Sequence, residues 1–503
     1  MKSRKSIGLK AAAMAAAIAT ATSMAGTAQA VALNPDGLGQ VLIYPYYTVR
    51  ANADGNAYDS LFTVVNAKSV AKAVRVRFRE GKAGHEVLDF NLYLAANDVW
   101  TAAVIPTATG AALFTNDTSC TNPNVPRTAA TAQALRNYQY TGPNQDLEDQ
   151  TLDRTKEGYV EIIEMGDFAR PWVDPAGNVH DISPTEIGIT HAQVDGEWKP
   201  PNCGLIRNAS MQTAVNQRQL VQGTGGLFGN MTLINVNTAR AIGYDAVALS
   251  GFYQGGDGKP DTLWFASGSE NPHLGMAHPP TSTVIDDNGN AVESTWASGL
   301  DAVSSVLMRG SIINEFNVAE VYAGATDWVV TMPTKYLYFD RNPSTRILTP
   351  RKLFQREFRL GGAPDDFWLI YSDREGRPPV SLDDFCTPPY RPPPVLSWSV
   401  NVVGFRTPQA ARTVLHSTNS GFVSTSGCET GWAQMNIERV FNSTYGDHTL
   451  TADAPSGRTF TGLPVVGFSA TLYNNAGVDG GSLGRVWASY VATVPHRYER
   501  TIQ

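Results

Sequence analysis

Residues 73–80 read AVRVRFRE, and this stretch decides the fold class because apolar and basic residues alternate in it. A period of two is the pattern of a β-strand that turns one face to an apolar core. Arg75, Arg77 and Arg79 then share the opposite face, which we interpret as one solvated face of a sheet. The sequence on either side supplies partners for such a strand.

Similar strand patterns cover residues 61–66, 86–94 and 98–104. Four short strands at near-regular spacing favour an antiparallel sandwich over an alternating α/β fold. Further along the chain, strand patterns recur at 230–235, 239–244, 327–332, 335–340, 396–405, 431–437, 467–473 and 486–493, and a helix pattern with Asp301 as its N-cap spans 300–308.

We therefore predict a mainly β protein with two antiparallel β-sandwich domains of the immunoglobulin-like kind. The N-terminal domain spans 31–345 and contains a loop-rich, partly helical insertion at about 107–222. Residues 346–394 form a Pro-containing linker region, because the prolines within 388–394 hold the backbone extended. The C-terminal domain spans 395–503.

The first 30 residues have the three parts of a cleavable secretory signal peptide. Basic residues without an acidic one lie within the first ten, and a short Ala-rich apolar region covers 11–25. Ala28 and Ala30 form the small-x-small pattern that signal peptidase cleaves, so we expect the mature chain to begin at or close to Val31. An uncleaved N-terminal anchor is the alternative. No later apolar run reaches the roughly 18 residues of a membrane-spanning helix.

The chain has four cysteines, and an even number favours disulfides in an exported protein. Three pairings are possible. We prefer Cys120 with Cys203 and Cys386 with Cys428, because sequential pairing keeps each bridge within one half of the chain. A zinc site is the competing interpretation, which the lack of a Cys-x-x-Cys pair disfavours.

The charge balance predicts no nucleic-acid partner. The first 30 residues hold four of the 39 basic residues and none of the 46 acidic ones, so the mature chain has 35 basic against 46 acidic residues. Its Lys and Arg residues are scattered, whereas contacts to phosphate backbones need them clustered.

The motifs of common enzymes are missing or incomplete. The Gly-x-Ser-x-Gly pentapeptide of serine hydrolases occurs once, as GGSLG at 480–484, but it lies between the strand patterns at 467–473 and 486–493, so the strand-to-helix turn of a nucleophile elbow is missing. Residues 223–229 are Gly-rich, but Phe228 stands where a dinucleotide loop needs its third glycine, and a strand pattern follows. We assign no catalytic residue. Carboxylates that could serve glycoside hydrolysis are Glu161, Glu164, Asp365, Asp366, Asp383 and Asp384, and the adjacent pairs are more typical of solvated loops.

One weak calcium site is predicted at Asn52, Asp54, Asn56 and Asp59, where oxygen ligands cluster around a glycine turn. Residues 286–290 have a similar pattern. Neither matches a complete twelve-residue calcium loop, and Asn-Gly and Asp-Gly are also preferred hairpin turns. No cofactor is predicted apart from this possible calcium ion.

Aromatic side chains are a further lead, because exposed rings form contact platforms at interfaces. The segment 44–47, which reads YPYY, is our candidate for such a surface, whereas Trp100, Trp328 and Trp398 lie at strand positions and are interpreted as core residues.

Five phrases of the chain carry a resemblance: LFTVVNAKSVAKAVRVRFREG at 61–81, VLDFNLYLAANDVWTAAV at 87–104, GGLFGNMTLINV at 225–236, TDWVVTMPTKYLYFD at 326–340 and GLPVVGFSATLY at 462–473. Together they resemble an uncharacterised family of exported, β-rich proteins of Gram-negative bacteria. The resemblance implies export and a β-rich fold, and it implies no activity, substrate or site.

We expect an exported, non-enzymatic protein that acts through binding surfaces, as a structural, adhesive or surface-associated component. Its location would be the periplasm, the outer cell surface or the medium, and its partner a protein or glycan at the cell surface. The alternative is a secreted polysaccharide-acting hydrolase or a glycan-binding protein.

Non-reducing peptide mapping of the exported chain checks the cysteine prediction. We expect one linked peptide pair that contains Cys120 and Cys203 and another that contains Cys386 and Cys428. Recovery of four free thiols would rule out both bridges.

Overall fold

The computed structural model of the chain describes residues 30–207, 219–377, 394–407, 412–425, 428–439, 446–479 and 481–503. The predicted signal peptide up to residue 29, with Ala28, lies outside the described residues. Cys386, Asp383, Asp384 and most of the proline-rich run lie outside them too.

Strands dominate the described residues. Those before residue 300 are β1 (Ala32–Leu33), β2 (Val41–Thr48), β3 (Asp59–Asn66), β4 (Lys72–Glu80), β5 (Glu86–Leu94), β6 (Val99–Pro106), β7 (Ala111–Phe114), β8 (Cys120–Asn122), β9 (Gln133–Ala134), β10 (Glu157–Phe168), β11 (Trp172–Val173), β12 (Val179–His180), β13 (Ala192–Val194), β14 (Glu197–Lys199), β15 (Leu220–Val221), β16 (Leu227–Phe228), β17 (Asn230–Asn235), β18 (Arg240–Asp245), β19 (Val247–Ser250), β20 (Thr281–Ile285) and β21 (Ala291–Thr295).

The later strands are β22 (Met308–Arg309), β23 (Ser311–Asn317), β24 (Ala325–Thr331), β25 (Phe339–Arg341), β26 (Leu348–Pro350), β27 (Asp365–Asp366), β28 (Trp368–Asp373), β29 (Val395–Leu396), β30 (Val400–Arg406), β31 (Ser420–Ser424), β32 (Thr430–Asn436), β33 (Thr449–Thr451), β34 (Thr459–Thr461), β35 (Leu463–Pro464), β36 (Val466–Asp479), β37 (Arg485–Pro495), β38 (Arg497–Glu499) and β39 (Thr501–Ile502).

Helical segments are short. The α-helices are α1 (Pro184–Ile189), α2 (Gly204–Arg207) and α3 (Gly299–Leu307). Single 3₁₀ turns occur at Ala129–Thr131, Tyr138–Tyr140, Gly142–Asn144, Leu152–Lys156, Val236–Thr238, Leu274–Met276, Glu320–Tyr322, Lys335–Tyr338 and Gly481–Leu483.

Four larger sheets organise the described residues. The first sheet has the order β1-β19-β2-β10-β4-β5-β8, and the second has the order β18-β17-β3-β6-β7-β9. The third sheet is β31-β30-β24-β36-β37, and the fourth is β28-β32-β23-β38. Neighbours are antiparallel except β30 and β31, which are parallel. The mainly β, antiparallel character predicted from the sequence is thus confirmed, and β3 to β6 are the four strands predicted over 61–104.

The first and second sheets pack face to face. Between them, the Phe62 ring of β3 makes edge-to-face contacts with Phe78 of β4 and Trp100 of β6, and the ring centroids are 5.6 and 5.5 Å apart. Trp100 is fully buried, as predicted. Edge-to-face contacts of this kind add to the free energy gained from apolar burial.

The third and fourth sheets pack together in the same way. Phe316 of β23 stacks on Phe405 of β30 with centroids 5.2 Å apart, and Trp328 of β24 lies 4.8 Å from the Phe405 ring. Apolar residues of α3, including Val303 and Val306, belong to the same buried cluster.

The two pairs of sheets share their apolar clusters. The cluster around Phe62 includes Val329 and Phe468 of the third sheet, and the cluster around Trp328 includes Ile43 of the first. Residues 346–377, the described part of the expected linker region, contribute β28 to the fourth sheet. The domain limits stay a prediction, and the chain packs extensively across them.

Strand β10 lies at the centre of the first sheet, between β2 and β4, although its residues fall within the expected insertion at 107–222. Its sequence, EGYVEIIEMGDF, carries three glutamates that weaken the apolar alternation of a strand. All its residues are buried, because the acidic side chains pair with basic ones on neighbouring strands.

The arginine face of β4 is buried, so the expectation of a solvated face is wrong. Arg75, Arg77 and Arg79 are at most 5% exposed. A buried guanidinium is tolerated only when it is paired and hydrogen-bonded. The carboxylate partners of the three arginines are, in order, Asp89, Glu86 and Glu161, with Nε–O distances of 2.6 Å for Arg77–Glu86 and 3.0 Å for Arg79–Glu161.

The segment 265–272 covers this charged face with its backbone. Arg75 Nη2 donates to the carbonyl oxygens of Phe265 and Ala266 at 3.0 and 2.6 Å. Arg77 donates to the carbonyl oxygens of Ser269, Glu270 and Pro272 at 2.7, 2.9 and 2.8 Å. The arginines therefore donate hydrogen bonds to backbone carbonyl groups of a loop, which has no neighbouring strand to pair with among the described residues.

Replacing Arg77 by Met tests how much these ion pairs and hydrogen bonds contribute to the stability of the fold. The change leaves Glu86 without its cation and the carbonyl oxygens of Glu270 and Pro272 without their donor, so we expect a loss of about 3–5 kcal/mol in the free energy of unfolding. Urea denaturation measures it. The matched control is Arg359→Met, which removes an exposed pair with Glu357 and should change stability by about 1 kcal/mol or less. Equal losses in the two variants would contradict the assigned role.

Helix α3 begins after Ser298, whose side chain accepts a hydrogen bond from the backbone N–H of Asp301. The cap is thus Ser298 rather than Asp301, which lies in the first turn. At the other end, Arg309 Nη1 and Arg500 Nη2 donate to the carbonyl oxygen of Val306 at 2.9 and 2.7 Å. Cations at a helix C-terminus satisfy free carbonyls and oppose the helix dipole.

Asp327 is a buried carboxylate in β24 that fixes a neighbouring loop. Its Oδ2 accepts hydrogen bonds from the backbone N–H groups of Val414 and Leu415, both at 2.8 Å. The side chain is fully buried, and burial raises the pKa of Asp327 to about 6.

Asp327→Asn should reveal this raised pKa as a pH-dependent stability difference. Because the folded pKa lies above the unfolded value of about 3.9, Asp327 costs stability as the pH rises through about 6. We expect the variant to gain on the order of 3 kcal/mol relative to wild type between pH 4 and pH 8, measured by urea denaturation. Asp340→Asn, at an exposed position, is the control, and parallel pH profiles for Asp327→Asn and wild type would refute the assignment.

Candidate functional site

The fourth sheet turns one face to the core and the other to solvent. Ile312 and Met435 point inward and are at most 2% exposed. Alternation along the strands places Trp432 and Ile370 on the opposite side, where they are 39% and 49% exposed. We call this side the outer face, and it comprises Ile313, Glu315, Trp368, Ile370, Ser372, Trp432, Gln434 and Asn436.

The strand register arranges these residues in rows. Glu315, Trp432 and Ser372 form the first row; Ile313, Gln434 and Ile370 form the second; Ser311, Asn436 and Trp368 form the third. From the strand rise and spacing, Trp432 and Trp368 are about 14 Å apart. Ile370 lies between their rows, so the three apolar side chains form a diagonal stripe among polar neighbours. We call it the apolar stripe.

A pocket of about 360 Å³ lies at the Trp432 end of the apolar stripe. Its volume is within the range of sites for small ligands. The residues that decide its chemistry are Glu315, Asn317, Asp373, Arg374, Trp432 and Tyr473. It thus combines an exposed indole with carboxylate, amide and guanidinium groups.

Asn317 supplies a hydrogen-bond donor without a partner. It is 3% exposed, and its Oδ1 accepts from the backbone N–H of Ala319 at 3.0 Å. Its Nδ2 has no hydrogen-bond partner among the described residues. An unsatisfied buried donor costs about 1–3 kcal/mol, so Asn317 is a locally unfavourable residue in the lining of the pocket.

Asp373 lies at the end of β28, where the turn fixes its carboxylate. Oδ1 accepts from the backbone N–H groups of Glu375 and Arg377 at 3.0 and 2.7 Å, and Oδ2 accepts from Arg377 Nε at 2.8 Å. The hydrogen bond from the Arg377 backbone, together with its guanidinium, holds the pKa of Asp373 below its usual value. Asp373 therefore remains an anion beside the pocket at neutral pH.

A second cleft, of about 440 Å³, opens beside the buried arginines. Arg79 lies 3.6 Å from the centroid of the Tyr336 ring and donates to Tyr336 Oη at 2.7 Å. Burial raises the pKa of Glu86 and lowers that of His273 to about 4. The charged groups at its base are already paired, since Arg79 binds Glu161 and Glu86 binds Arg77. This cleft is therefore the weaker candidate.

The segment predicted as a calcium site forms a hairpin turn. Asn52 Oδ1 accepts from the backbone N–H groups of Asp54 and Asn56 at 3.0 and 2.9 Å, and Gly55 has a φ of 81°. Asp59 lies in β3, outside the turn. The turns that begin at Asp174, Asp286 and Asp373 have the same hydrogen bonds, and Gly177, Gly289 and Gly376 occupy the position of Gly55 with φ of 91°, 83° and 73°.

This repeated turn explains the oxygen-rich sequence pattern without a metal. The first side chain binds two backbone N–H groups, and the glycine adopts the left-handed conformation that other residues disfavour. In the described ranges, no group of three or more His, Cys, Asp or Glu side chains is placed to hold a metal ion. Calcium binding at Asn52, Asp54, Asn56 and Asp59 stays a prediction.

The described carboxylates considered for glycoside hydrolysis are buried members of ion pairs rather than residues of solvated loops. Glu161, Glu164, Asp365 and Asp366 are at most 4% exposed. Their partners are Arg79 at 3.0 Å, Lys72 at 2.5 Å, Lys335 at 2.8 Å and Arg356 at 2.5 Å, respectively.

The Gly-rich segment 223–229 binds one of these pairs. The backbone N–H of Gly225 donates to Glu164 Oε2 at 2.9 Å, and Thr224 Oγ1 donates to Asp167 Oδ2 at 2.6 Å. Lys72 Nζ lies 2.5 Å from both carboxylates. Strands follow the segment, as predicted, so it has no helix N-terminus for a pyrophosphate.

The tyrosines of segment 44–47 are core residues, so the prediction of a surface there is wrong. Tyr44, Tyr46 and Tyr47 are fully buried, because β2 is covered on both faces. Their hydroxyls find internal partners: Tyr44 Oη donates to Thr63 O at 2.6 Å, and Tyr46 Oη donates to Glu157 Oε2 at 2.9 Å. A Tyr can be buried when its hydroxyl is paired.

A disulfide joins Cys120 and Cys203, one of the two pairs preferred from the sequence. Cys120 is the first residue of β8, at the edge of the first sheet, and Cys203 immediately precedes α2. The bridge therefore ties α2 to the sheet. Cys428 is buried, and its predicted partner Cys386 lies outside the described residues, so that bridge stays a prediction.

Sequence reasoning missed the outer face. It found the strand that contains Trp432, but not its role or the strand that contains Ile370. Residues 368–373 read WLIYSD, and apolar side chains on both faces hide the period of two. The Asp-x-x-Gly turn that follows was the available signal, because such turns end strands.

Comparison with protein-family models, with curated proteins and with solved structures finds no match to this chain. None of the helices in the part of the chain that the structure describes is both long and apolar enough to cross a membrane.

Proposed function

We propose that this chain is an exported, non-enzymatic binding protein that contacts a cell-surface partner through the outer face of the fourth sheet. The observation that carries the proposal is the apolar stripe. Trp432 and Ile370 remain exposed on a face whose reverse side is packed into the core. Exposed aromatic and aliphatic side chains on a rigid sheet lose little conformational entropy on binding.

Export is supported by two observations. The N-terminal pattern is that of a signal peptide, and the Cys120–Cys203 bridge is of the kind that forms in oxidising compartments. The proposed destination is the periplasm, the outer cell surface or the medium. The two facing pairs of sheets support the finer proposal of two β-sandwiches of the immunoglobulin-like kind.

The pocket groups suit binding better than proton transfer. Asp373 is an anion that already accepts three hydrogen bonds, whereas a glycosidase needs one carboxyl held protonated. Glu315 and Asp373 nevertheless line one pocket. A polysaccharide-acting hydrolase is therefore the second candidate, and assays for released reducing ends separate it from a binding protein.

The outer face is tested by co-sedimentation of the purified mature chain with isolated envelopes of the producing bacterium. We expect Trp432→Ala combined with Ile370→Ser to weaken binding at least tenfold, because truncating a central aromatic anchor costs about 2 kcal/mol or more.

Trp198→Ala is the matched control for that experiment. Trp198 is 65% exposed on β14, outside the fourth sheet, so its loss should leave binding unchanged. Failure of the wild-type chain to sediment, or equal losses in the control and the double variant, would overturn the proposal.

A further inference from the structure

We propose that the pocket at the Trp432 end of the apolar stripe binds a neutral hexopyranose unit of a polysaccharide. This inference rests on the proposed function, because it assigns a ligand class to the same face. It depends on three features of the pocket: an exposed indole, mixed hydrogen-bonding groups, and the balance of charge.

The exposed indole suits the apolar side of a sugar ring. The face of an aromatic ring is electron-rich and attracts the positively polarised C–H groups of a pyranose. Trp432 is 39% exposed at the rim of the pocket, and Gly431 beside it adds no side chain. Part of the indole is thus accessible to a ligand in the pocket.

The polar groups match the edge of a sugar, whose hydroxyls both donate and accept. Carboxylates only accept, so Glu315 and Asp373 would take hydroxyl protons. The Arg374 guanidinium lines the pocket on an exposed residue and is the complementary donor. A sugar hydroxyl can accept from Arg374 while it donates to a carboxylate.

The balance of charge argues against an anionic ligand. Glu315, Asp373 and Arg374 line the pocket, and the Arg377 guanidinium and Glu375 carboxylate lie beside Asp373, so three anions stand against two cations. An acidic sugar or a phosphate would meet net repulsion, whereas a neutral pyranose meets none. The volume of about 360 Å³ limits the enclosed part to a small group, and the apolar stripe leaves an open path for the neighbouring units of the polymer.

Isothermal titration calorimetry with a panel of neutral oligosaccharides tests the inference. The probes are maltotriose, cellotriose, laminaritriose, mannotriose and tri-N-acetylchitotriose, with trigalacturonic acid as the anionic comparison. We expect at least one neutral trisaccharide to bind the mature chain and to bind more tightly than the anionic probe.

Two single variants locate the site. Trp432→Ala removes the stacking ring, and Glu315→Gln replaces an exposed carboxylate by an isosteric amide, so neither is expected to unfold the sheet. Each variant should lower the affinity for the sugar that binds the wild-type chain at least tenfold. Trp198→Ala should not change its affinity.

The possible outcomes separate this inference from the proposed function. If no neutral sugar binds while the chain still binds envelopes, the proposal of a sugar site is refuted. The proposal that the outer face binds a cell-surface partner is then retained. If sugar binds but neither variant weakens it, this pocket is not the site. Release of reducing ends from a bound oligosaccharide would preserve the sugar site and overturn the non-enzymatic function.

Discussion

Buried guanidinium groups need anions and hydrogen-bond acceptors within reach, and this requirement on β4 sets the arrangement of the first sheet. Arg75 and Arg77 draw carboxylates from β5, and Arg79 draws Glu161 from β10. A register slip of one residue would place all of these charges in the apolar core on the other face. The same guanidinium groups hold the segment 265–272 over the sheet, so strand register and loop position depend on one set of interactions.

The buried arginine face of β4 and the apolar stripe of the fourth sheet both result from the alternation of side chains along a β-strand. In β4 the polar side is buried and its charges are paired, whereas in the fourth sheet a stripe of apolar side chains lies on a mostly polar outer face. Each arrangement departs from the simple rule that apolar faces are buried and polar faces are exposed. Departures of the second kind mark contact surfaces more often than structural needs. Near the C-terminus, the buried Arg500 guanidinium likewise donates to carbonyl oxygens at the end of α3.

Sequence reasoning predicted the strands over 61–104, the hairpin of β17 and β18, and the strand character of β30, β32 and β36, because their alternation is local. It failed where the outcome depends on distant partners. Nothing in residues 73–80 shows that acidic side chains of β5 and β10 will neutralise the arginines. Likewise, Tyr44 is buried only because other elements cover both faces of β2. Of the candidate site, the strand with Trp432 was predictable, but its exposure and the unpaired Asn317 amide follow from tertiary packing alone.

The Asp-x-x-Gly turn from Asp373 to Gly376 allows residues at the rim of the pocket to be substituted while the backbone keeps its conformation. Asp373 and Gly376 fix the backbone through hydrogen bonds that involve no side-chain atom of the two residues between them. Arg374 and Glu375 are both exposed, and Arg374 lines the pocket. Substitutions at these positions alter the chemistry of the rim while the turn keeps its shape. Substitutions in this turn would therefore change the ligand preference proposed for the pocket without altering the strands of the fourth sheet.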